Sequence, residues 1–341
     1  MKQFVIKKSF FLILLPVLLF AQNAHKDEFF VAQWNVENLF DAVDDPDKDD
    51  AEFLPESEKF WTDGKVEHKL TNLAKVINYM NDGRGPDILA VEEIENINLL
   101  KRLIYKVKDR DYLPAHRESP DQRGIDVGLL FDRNVFDIKG ITPVKVELPT
   151  KYPTRDILHV ILEHKTSKEI LHVFVNHWPS RRGGKDKSDE NREAAAFTLR
   201  KSIDSLTNVS PNANIIMLGD FNDGPFDKSI VETLNAKDFE CNSVSTKNNL
   251  MNLSYKLAEK KEGSYLYYGN WDMIDQIIIS PGLNDSKGME YECDSYKIIM
   301  PEFMIIQEGS RKGGALPTYM GKNYTDGYSD HFPVGAKFYI K

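Results

Sequence analysis

Apolar positions along this chain follow two alternating rhythms. Phe29 to Trp34 is a short apolar run that reads as a strand, and Val66, Leu70, Leu73, Ile77 and Met80 recur at helical spacing until Gly83 to Pro86 stops the helix. Asp87 to Val91 reads as a second strand and Leu99 to Val107 as a short helix. Strands then follow at Asp126 to Phe131, Ile157 to Glu163 and Ile170 to Asn176, the last with Leu171, Val173 and Val175 on one face. A long helix is predicted over Asp189 to Leu206, with Ser188 as N-cap and acids in its first turn. The strand Ile215 to Leu218, a short helix near Lys228 to Leu234, the strand Gln276 to Ser280 and the strand Val334 to Ile340 complete the pattern. Helices alternating with hairpin-like strand pairs predict an α/β fold, a four-layer α-β-β-α sandwich of two mixed sheets with outer helices.

Several of these strands end in side chains that carry chemistry. Trp34-Asn35-Val36-Glu37, Val91-Glu92-Glu93, Asn176-His177-Trp178 and Gly219-Asp220-Phe221-Asn222 each follow an apolar run, and Ser329-Asp330-His331 lies near the end of the chain. A phosphodiester repels nucleophiles, so its hydrolysis needs a cation on the phosphate oxygens, a base for water and a charged group to steady the transition state. Mg²⁺ or Mn²⁺ prefers carboxylate oxygen, which makes Asn35, Glu37, Glu93 and Asp330 the candidate ligands. Asp220 suits the base, Asn222 the residue that holds water or phosphate, and His331 and His177 the donors to phosphate oxygens. Asp275 is placed to orient a histidine and keep it protonated. Taken singly, Gly-Asp after a strand is turn chemistry and a terminal Asp-His is a surface pair. Their joint, ordered occurrence carries the catalytic reading.

This ordered set resembles the endonuclease/exonuclease/phosphatase superfamily, over about Phe29 to Ile340. The resemblance implies a divalent-metal-dependent phosphoesterase with Glu93 as metal-binding glutamate, Asn35 as the site asparagine and Asp220 with Asn222 as the Asp-x-Asn pair. It also implies His331 as terminal catalytic histidine, Asp330 as its metal-linked neighbour, Asp275 as the acid pairing with it and His177 as a contact to the scissile phosphate. Glu37 stands where some members carry a metal-linked Asp. Glu92 replaces the usual Gln, which would leave an extra acid near the metal. Arg123 occupies a loop-to-strand position where members place a phosphate contact. Arg181 and Arg182, in the flexible basic stretch after His177, are further candidates for substrate phosphate.

Composition narrows the setting. Positive residues, the apolar run Phe10 to Phe20 and then Ala21-Gln22 have the layout of a secretory signal peptide over residues 1–21, followed by one catalytic domain over 22–341. A retained N-terminal anchor is the second reading; after cleavage no membrane span is expected. The product would be exported, periplasmic or extracellular, and a monomer. Removing residues 1–21 takes three lysines and no acids from 44 basic and 53 acidic residues, moving the formal charge from −9 to −12. So acidic a protein is not steered toward polyanions, which argues against sequence-specific DNA binding but not against a nuclease without sequence specificity. Cys241 and Cys293 either bridge or stay as buried thiols. Asp44 to Asp50 reads as a solvated loop, since Asp50 stands where a calcium loop of that spacing needs Gly. Tyr265, Tyr267, Tyr268 and Trp271 precede Asp275 and offer rings to stack on a base or a lipid headgroup, although packing or loop anchoring is expected for most of them, and no unmistakable aromatic hairpin for a membrane emerges. The leading function is endonucleolytic phosphodiester hydrolysis by in-line attack of water. The alternatives are a lipid or inositol-phosphate phosphoesterase of the sphingomyelinase kind and, more weakly, a non-catalytic binding protein on the same scaffold.

Overall fold

The structure, a computed structural model, describes residue 1 and residues 27–150, 152–241 and 249–341; the expected signal peptide lies outside the described residues apart from Met1. The strands, in chain order, begin with β1 (Asp27–Leu39), β2 (Ile88–Ile94), β3 (Tyr112–His116), β4 (Asp126–Asp132), β5 (Phe136–Val144), β6 (Ile157–His164), β7 (Ile170–His177), β8 (Asn214–Asp220) and β9 (Ala236–Lys237). They continue with β10 (Leu250–Asn252), β11 (Tyr265–Tyr267), β12 (Asn270–Asp272), β13 (Asp275–Ile279), β14 (Met289–Tyr291), β15 (Lys297–Ile298), β16 (Tyr319–Met320), β17 (Asn323–Tyr324) and β18 (Val334–Ile340). One seven-stranded sheet runs β14-β18-β1-β2-β4-β3 with β15 beside β18; the other runs β5-β6-β7-β8-β13-β10-β9. Both are mixed: β1 with β2 and β7 with β8 are parallel pairs among antiparallel neighbours.

Alternation along the strands builds the layers. On β1, Phe29 and Val31 face the other sheet while Phe30, Ala32 and Trp34 face helices α1 (Asp63–Gly83) and α2 (Ile97–Lys106). On β8, Ile216 and Leu218 point inward while Ile215 and Met217 meet helix α3 (Lys185–Val209). Central strands covered on both faces explain why these segments read as near-continuous apolar runs. The result is the four-layer α-β-β-α sandwich, helices outside.

The same period of two makes the site. Continuing the inward face one step beyond the apolar residues gives Gln33 and Asn35 on β1, Glu92 on β2, His177 on β7 and Asp220 on β8. Asp275 precedes Ile277 on antiparallel β13. The inter-sheet core is thus apolar along most of its length and polar at one rim.

Four features depart from the sequence reading. The edge strands β3 and β5 carry Pro114, Gly140 and Pro143, which weaken a strand pattern and are tolerated where one side of the strand has no partner. Helix α3 starts at Lys185 after Gly184, and Ser188 sits inside it, its Oγ donating to Gly184 O (2.9 Å) and Lys185 O (3.0 Å), so it is not the N-cap. The helix expected near Lys228 is a single wide turn, Ser229–Thr233. In α1, regular helix yields at Met80, where extended and then left-handed backbone precedes Gly83. The acidic Asp44 to Asp50 stretch folds on itself, Asp45 N–H donating to Asp50 Oδ2 at 2.9 Å. Cys241 and Cys293 are joined as a disulfide. Among the described residues no helix is long and apolar enough to cross a membrane.

On β6, His159 stacks on Phe174 with centroids 4.2 Å apart, and its Nε2 lies 3.0 Å from Nδ1 of His172. Burial, and then the neighbouring His172, push its pKa down from 6.5 to about 4. A depressed histidine contributes stability that is complete above pH 6.5 and is lost as pH falls through about 4, because the unfolded chain takes up the proton first. Urea midpoints measured between pH 7.5 and 4.5 should therefore fall less steeply for His159→Leu than for the parent; equal slopes would show that this pair does not set the acid limb.

Candidate active site

At the polar rim, residues from both sheets meet. Asn35 Nδ2 lies 3.1 Å from Asp220 Oδ2 and 3.4 Å from Glu93 Oε1, bridging β1, β2 and β8. Glu93 has φ +63° and Glu37 φ +55°, and both stand where the ladder register slips, between Glu92 and Ile94 and between Asn35 and Leu39. These bulges turn Glu93 out of alternation, so that its Oε2 accepts the Asn38 N–H at 2.8 Å and Oε1 faces the rim. Asp220 owes its position to Gly219, where any Cβ would fall 2.0 Å from Asn176 O, so β7 and β8 approach more closely than a side chain permits. Asn222 (φ +52°) donates its N–H to Asp220 Oδ1 at 2.8 Å and its side-chain amide to Trp178 O at 3.1 Å.

His331 reaches this rim on the segment before β18. Ser329 Oγ donates to Asn35 O (2.6 Å) and accepts the His331 N–H (3.1 Å), while Trp34 Nε1 donates to His331 O (2.9 Å). Asp275 Oδ2 sits 2.8 Å from His331 Nδ1 and also accepts the Ser264 hydroxyl. Burial opposes charge on His331, but Asp275 and Asp330 outweigh it and hold the imidazole well above its ordinary pKa. The ring is an imidazolium whose Nε2, 3.9 Å from Asp330 Oδ1, remains for a substrate oxygen. Asp220, raised by burial to about 6, titrates close to neutrality, where a general base is most effective. His177 Nε2 lies 3.7 Å from Asp220 Oδ2 and 3.8 Å from Glu93 Oε1; burial, then Arg155 and Arg123, keep it neutral.

The donor set suits a hard cation. Glu93, Asp220 and Asp330 bring carboxylates to one cleft, and the Asn35 amide nitrogen donates to Glu93 and Asp220 while its Oδ1 accepts the Glu37 N–H at 3.0 Å. Desolvation by burial raises Asp220 and Asp330 alike, which is how carboxylates respond when too little positive charge surrounds them. Asp220, Asp275 and His331 also lie within 4.8 Å of one another, but a protonated, Asp-bonded imidazole handles protons and does not ligate. Glu93 and Asp330 are the residues that would hold a divalent ion, Asn35 presenting its amide nitrogen and not its oxygen to that place, and an ion bound there would supply charge neutralisation at phosphate oxygens. Glu37 is engaged elsewhere: its Oε2 accepts the Thr318 N–H (2.6 Å) and lies 3.8 Å from the buried Lys69 ammonium. Glu92 adds no negative charge. Burial, then Asp275 and Asp220, raise its pKa well above 4.5, and neither oxygen has a hydrogen-bond partner among the described residues.

An open cleft of about 910 Å³ leads from these groups along a basic flank that includes Arg123, Arg155, Arg182 and Lys187. Arg181 turns away to Asn222 O (2.7 Å), Asp227 and Asp272, pinning the loop that carries Asn222. Arg155 was not anticipated from sequence. It is buried on the cleft wall, held by Asp121 Oδ2 (3.2 Å) and Trp178 O (2.8 Å), and its Nε has no partner among the described residues. The only signal was an Arg two residues before a strand, in Thr154-Arg155-Asp156. The Tyr265 to Trp271 segment also corrects the sequence reading, because β11 and β12 form a hairpin whose Tyr267 and Tyr268 are exposed.

A two-sheet sandwich with an acid-lined rim, a buried Asp-His ion pair and a cleft with a basic flank fits a hydrolase of phosphoric esters. The chain belongs to the endonuclease/exonuclease/phosphatase family, whose model matches residues 30–340. It is similar to the human Nocturnin catalytic domain with bound sulfate anion, at 20% identity and TM-score 0.54, covering 92% of this chain and 95% of that one. An endonuclease/exonuclease/phosphatase family protein from Bacteroides thetaiotaomicron aligns at 16% identity and TM-score 0.56, covering 93% and 99%. The mannosyl-6-phosphatase Bt3783 of Bacteroides thetaiotaomicron aligns at 16% identity and TM-score 0.54, covering 91% and 99%. No curated protein sequence matches the chain significantly.

Replacing Arg155 by Lys keeps a charge but loses the planar fork, and is expected to lower kcat/KM on a phosphodiester by about a hundredfold, the size of losing one oriented oxyanion donor. Steady-state kinetics beside a thermal melt check this; unaltered kcat/KM would make Arg155 a scaffold residue only. Glu92→Gln should retain activity and raise the melting temperature of the metal-free protein above pH 4.5. The raised carboxyl costs stability as pH rises from that value, and an amide does not.

Proposed function

We propose that this protein is an exported, Mg²⁺- or Mn²⁺-dependent phosphodiesterase that cleaves nucleic acid internally and without sequence specificity. The observation that carries this reading is the meeting, within one cleft, of a base titrating near pH 6 (Asp220) and an imidazolium (His331) beside the carboxylates of Glu93 and Asp330. Water lodged against Asp220 and the Asn222 amide gives its proton to the carboxylate as its oxygen attacks phosphorus. The opposite P–O bond breaks in line, and His331 Nε2, kept charged by Asp275, donates to the phosphate or to the departing oxygen. Arg155 and Arg123 line the cleft where further phosphate charge would lie.

Export is supported by the N-terminal layout of residues 1–21 and by the Cys241–Cys293 disulfide, which suits an oxidising compartment. The formal charge of −12 for residues 22–341 favours a substrate held by the cleft and not by a broad basic surface. A phosphate monoester of a sugar is the second reading, favoured by the structural likeness to the mannosyl-6-phosphatase.

Plasmid DNA, RNA, sphingomyelin and mannose 6-phosphate assayed with Mg²⁺ and with Mn²⁺ separate these readings. Nicking of supercoiled DNA is the expected result, and turnover confined to the monoester or the lipid would overturn it. Asp220→Ala, His331→Ala and chelation should each lower the rate at least about a hundredfold with the fold intact by circular dichroism; turnover surviving all three would remove the mechanism.

A further inference from the structure

The hairpin β11–β12 stands against the catalytic histidine. Tyr265 bridges to His331 through the backbone, and their rings stack with centroids 4.5 Å apart and planes 26° apart. Tyr267, two residues along the same strand face, lies 6.1 Å from Tyr265 at 19°, and Tyr268 meets Tyr267 edge-on at 4.5 Å. Four rings therefore run from the reacting centre to solvent. The first two line the cleft, whereas Tyr267 is 52% and Tyr268 87% exposed.

The tip breaks a local rule. Tyr268 (φ +46°) and Gly269 (φ +80°) form the two-residue connection between β11 and β12, and two positive φ values in such a loop call for Asn-Gly or Asp-Gly. A bulky aromatic in the left-handed region is costly and packs against no core, so burial does not account for it. An exposed ring kept under strain at the end of a stack that starts on the catalytic histidine has the features of a contact surface.

Resting on the phosphodiesterase reading above, we propose that Tyr265, Tyr267 and Tyr268 form a stacking subsite for an unpaired nucleobase beside the scissile phosphate, so that the preferred substrate is single-stranded nucleic acid. Ring faces continuous with the reacting centre fit a group covalently attached to the reacting phosphate. A base is flat, and it can stack on tyrosine only when freed from its own helix. A bilayer fits less well. The segment Ser264 to Asp272 carries no Lys or Arg to meet lipid headgroups and ends in an acid.

The test compares a single-stranded DNA oligomer with an oligomer of the same length built from abasic tetrahydrofuran residues, each with Mg²⁺ and Mn²⁺. The parent enzyme should favour the base-bearing strand, and Tyr267→Ala/Tyr268→Ala should reduce that preference, as a ratio of kcat/KM values, at least about tenfold, the effect of losing one base–aromatic stack. Tyr267→Phe/Tyr268→Phe should restore it, because the ring faces remain. Equal losses on both oligomers, or an unchanged ratio, would overturn the subsite while leaving the phosphodiesterase intact. A parent enzyme that nicks plasmid DNA but cleaves neither oligomer would overturn the subsite and leave the nuclease reading standing, whereas one that cleaves neither the oligomers nor plasmid DNA nor RNA would remove both. Loss in the alanine variant of binding to sphingomyelin–phosphatidylcholine vesicles, with the oligomer ratio unchanged, would reassign the hairpin to a membrane.

Discussion

The bond from the Asn35 amide to Asp220 crosses from one sheet to the other, and the site exists only while that crossing is held. Asn35 belongs to β1 and Asp220 to β8, strands of opposite sheets with apolar side chains packed between them. Phe29, Val31, Ile216 and Leu218 set the distance between the sheets and so the distance between metal-binding and proton-transferring groups. A slip of one residue in either strand would exchange inward and outward faces and scatter the site. The His331–Asp275 pair has the same character, because Asp275 opens β13 in one sheet and His331 precedes β18 in the other.

Polar groups placed at the end of a dry core carry a cost that the rim only partly offsets. Lys69 lies under Glu37, Arg155 under the cleft wall, and Asp275 under His331, yet Glu92, one oxygen of Asp275 and Nδ1 of His177 find no partner among the described residues. Protonation settles Glu92, which burial and then Asp275 and Asp220 push well above the ordinary carboxylate range. For Asp220 and Asp330 protonation would disable the chemistry, and a divalent cation is the alternative that keeps them charged. A divalent cation among these carboxylates would offset their charge, in keeping with the family the chain belongs to.

Sequence patterning reveals most of this architecture because the central strands are buried on both faces and end abruptly in polar residues. Glu93, Asp220 and His177 stand out for that reason, each interrupting or following an apolar run, whereas His331 stands out through Ser329-Asp330-His331 just before the last strand. Edge strands β3 and β5 escape notice because half their residues meet solvent and proline is tolerated there. Glu37 and Arg181 show the converse limit. Both are charged, near the motifs and plausible as ligands, but whether a carboxylate faces a metal or a backbone amide depends on bulges whose positions no period of two reveals. Arg155 is hidden for a similar reason, since its role arises from Asp121 and Trp178, both distant in sequence.

Overall charge and local charge act on different ranges, and this reconciles an acidic protein with a phosphate-binding cleft. At physiological ionic strength the field of the whole surface fades over about 8 Å, so the excess of acids elsewhere scarcely reaches a phosphate already inside the cleft. There the nearest cationic groups are Arg155, Arg123 and the imidazolium of His331, set among the carboxylates of the rim. Steering from a distance is weak while recognition at contact is strong. Such a balance suits an enzyme that releases one polyanion and takes another, because what holds the substrate is the reacting phosphate and its immediate neighbours.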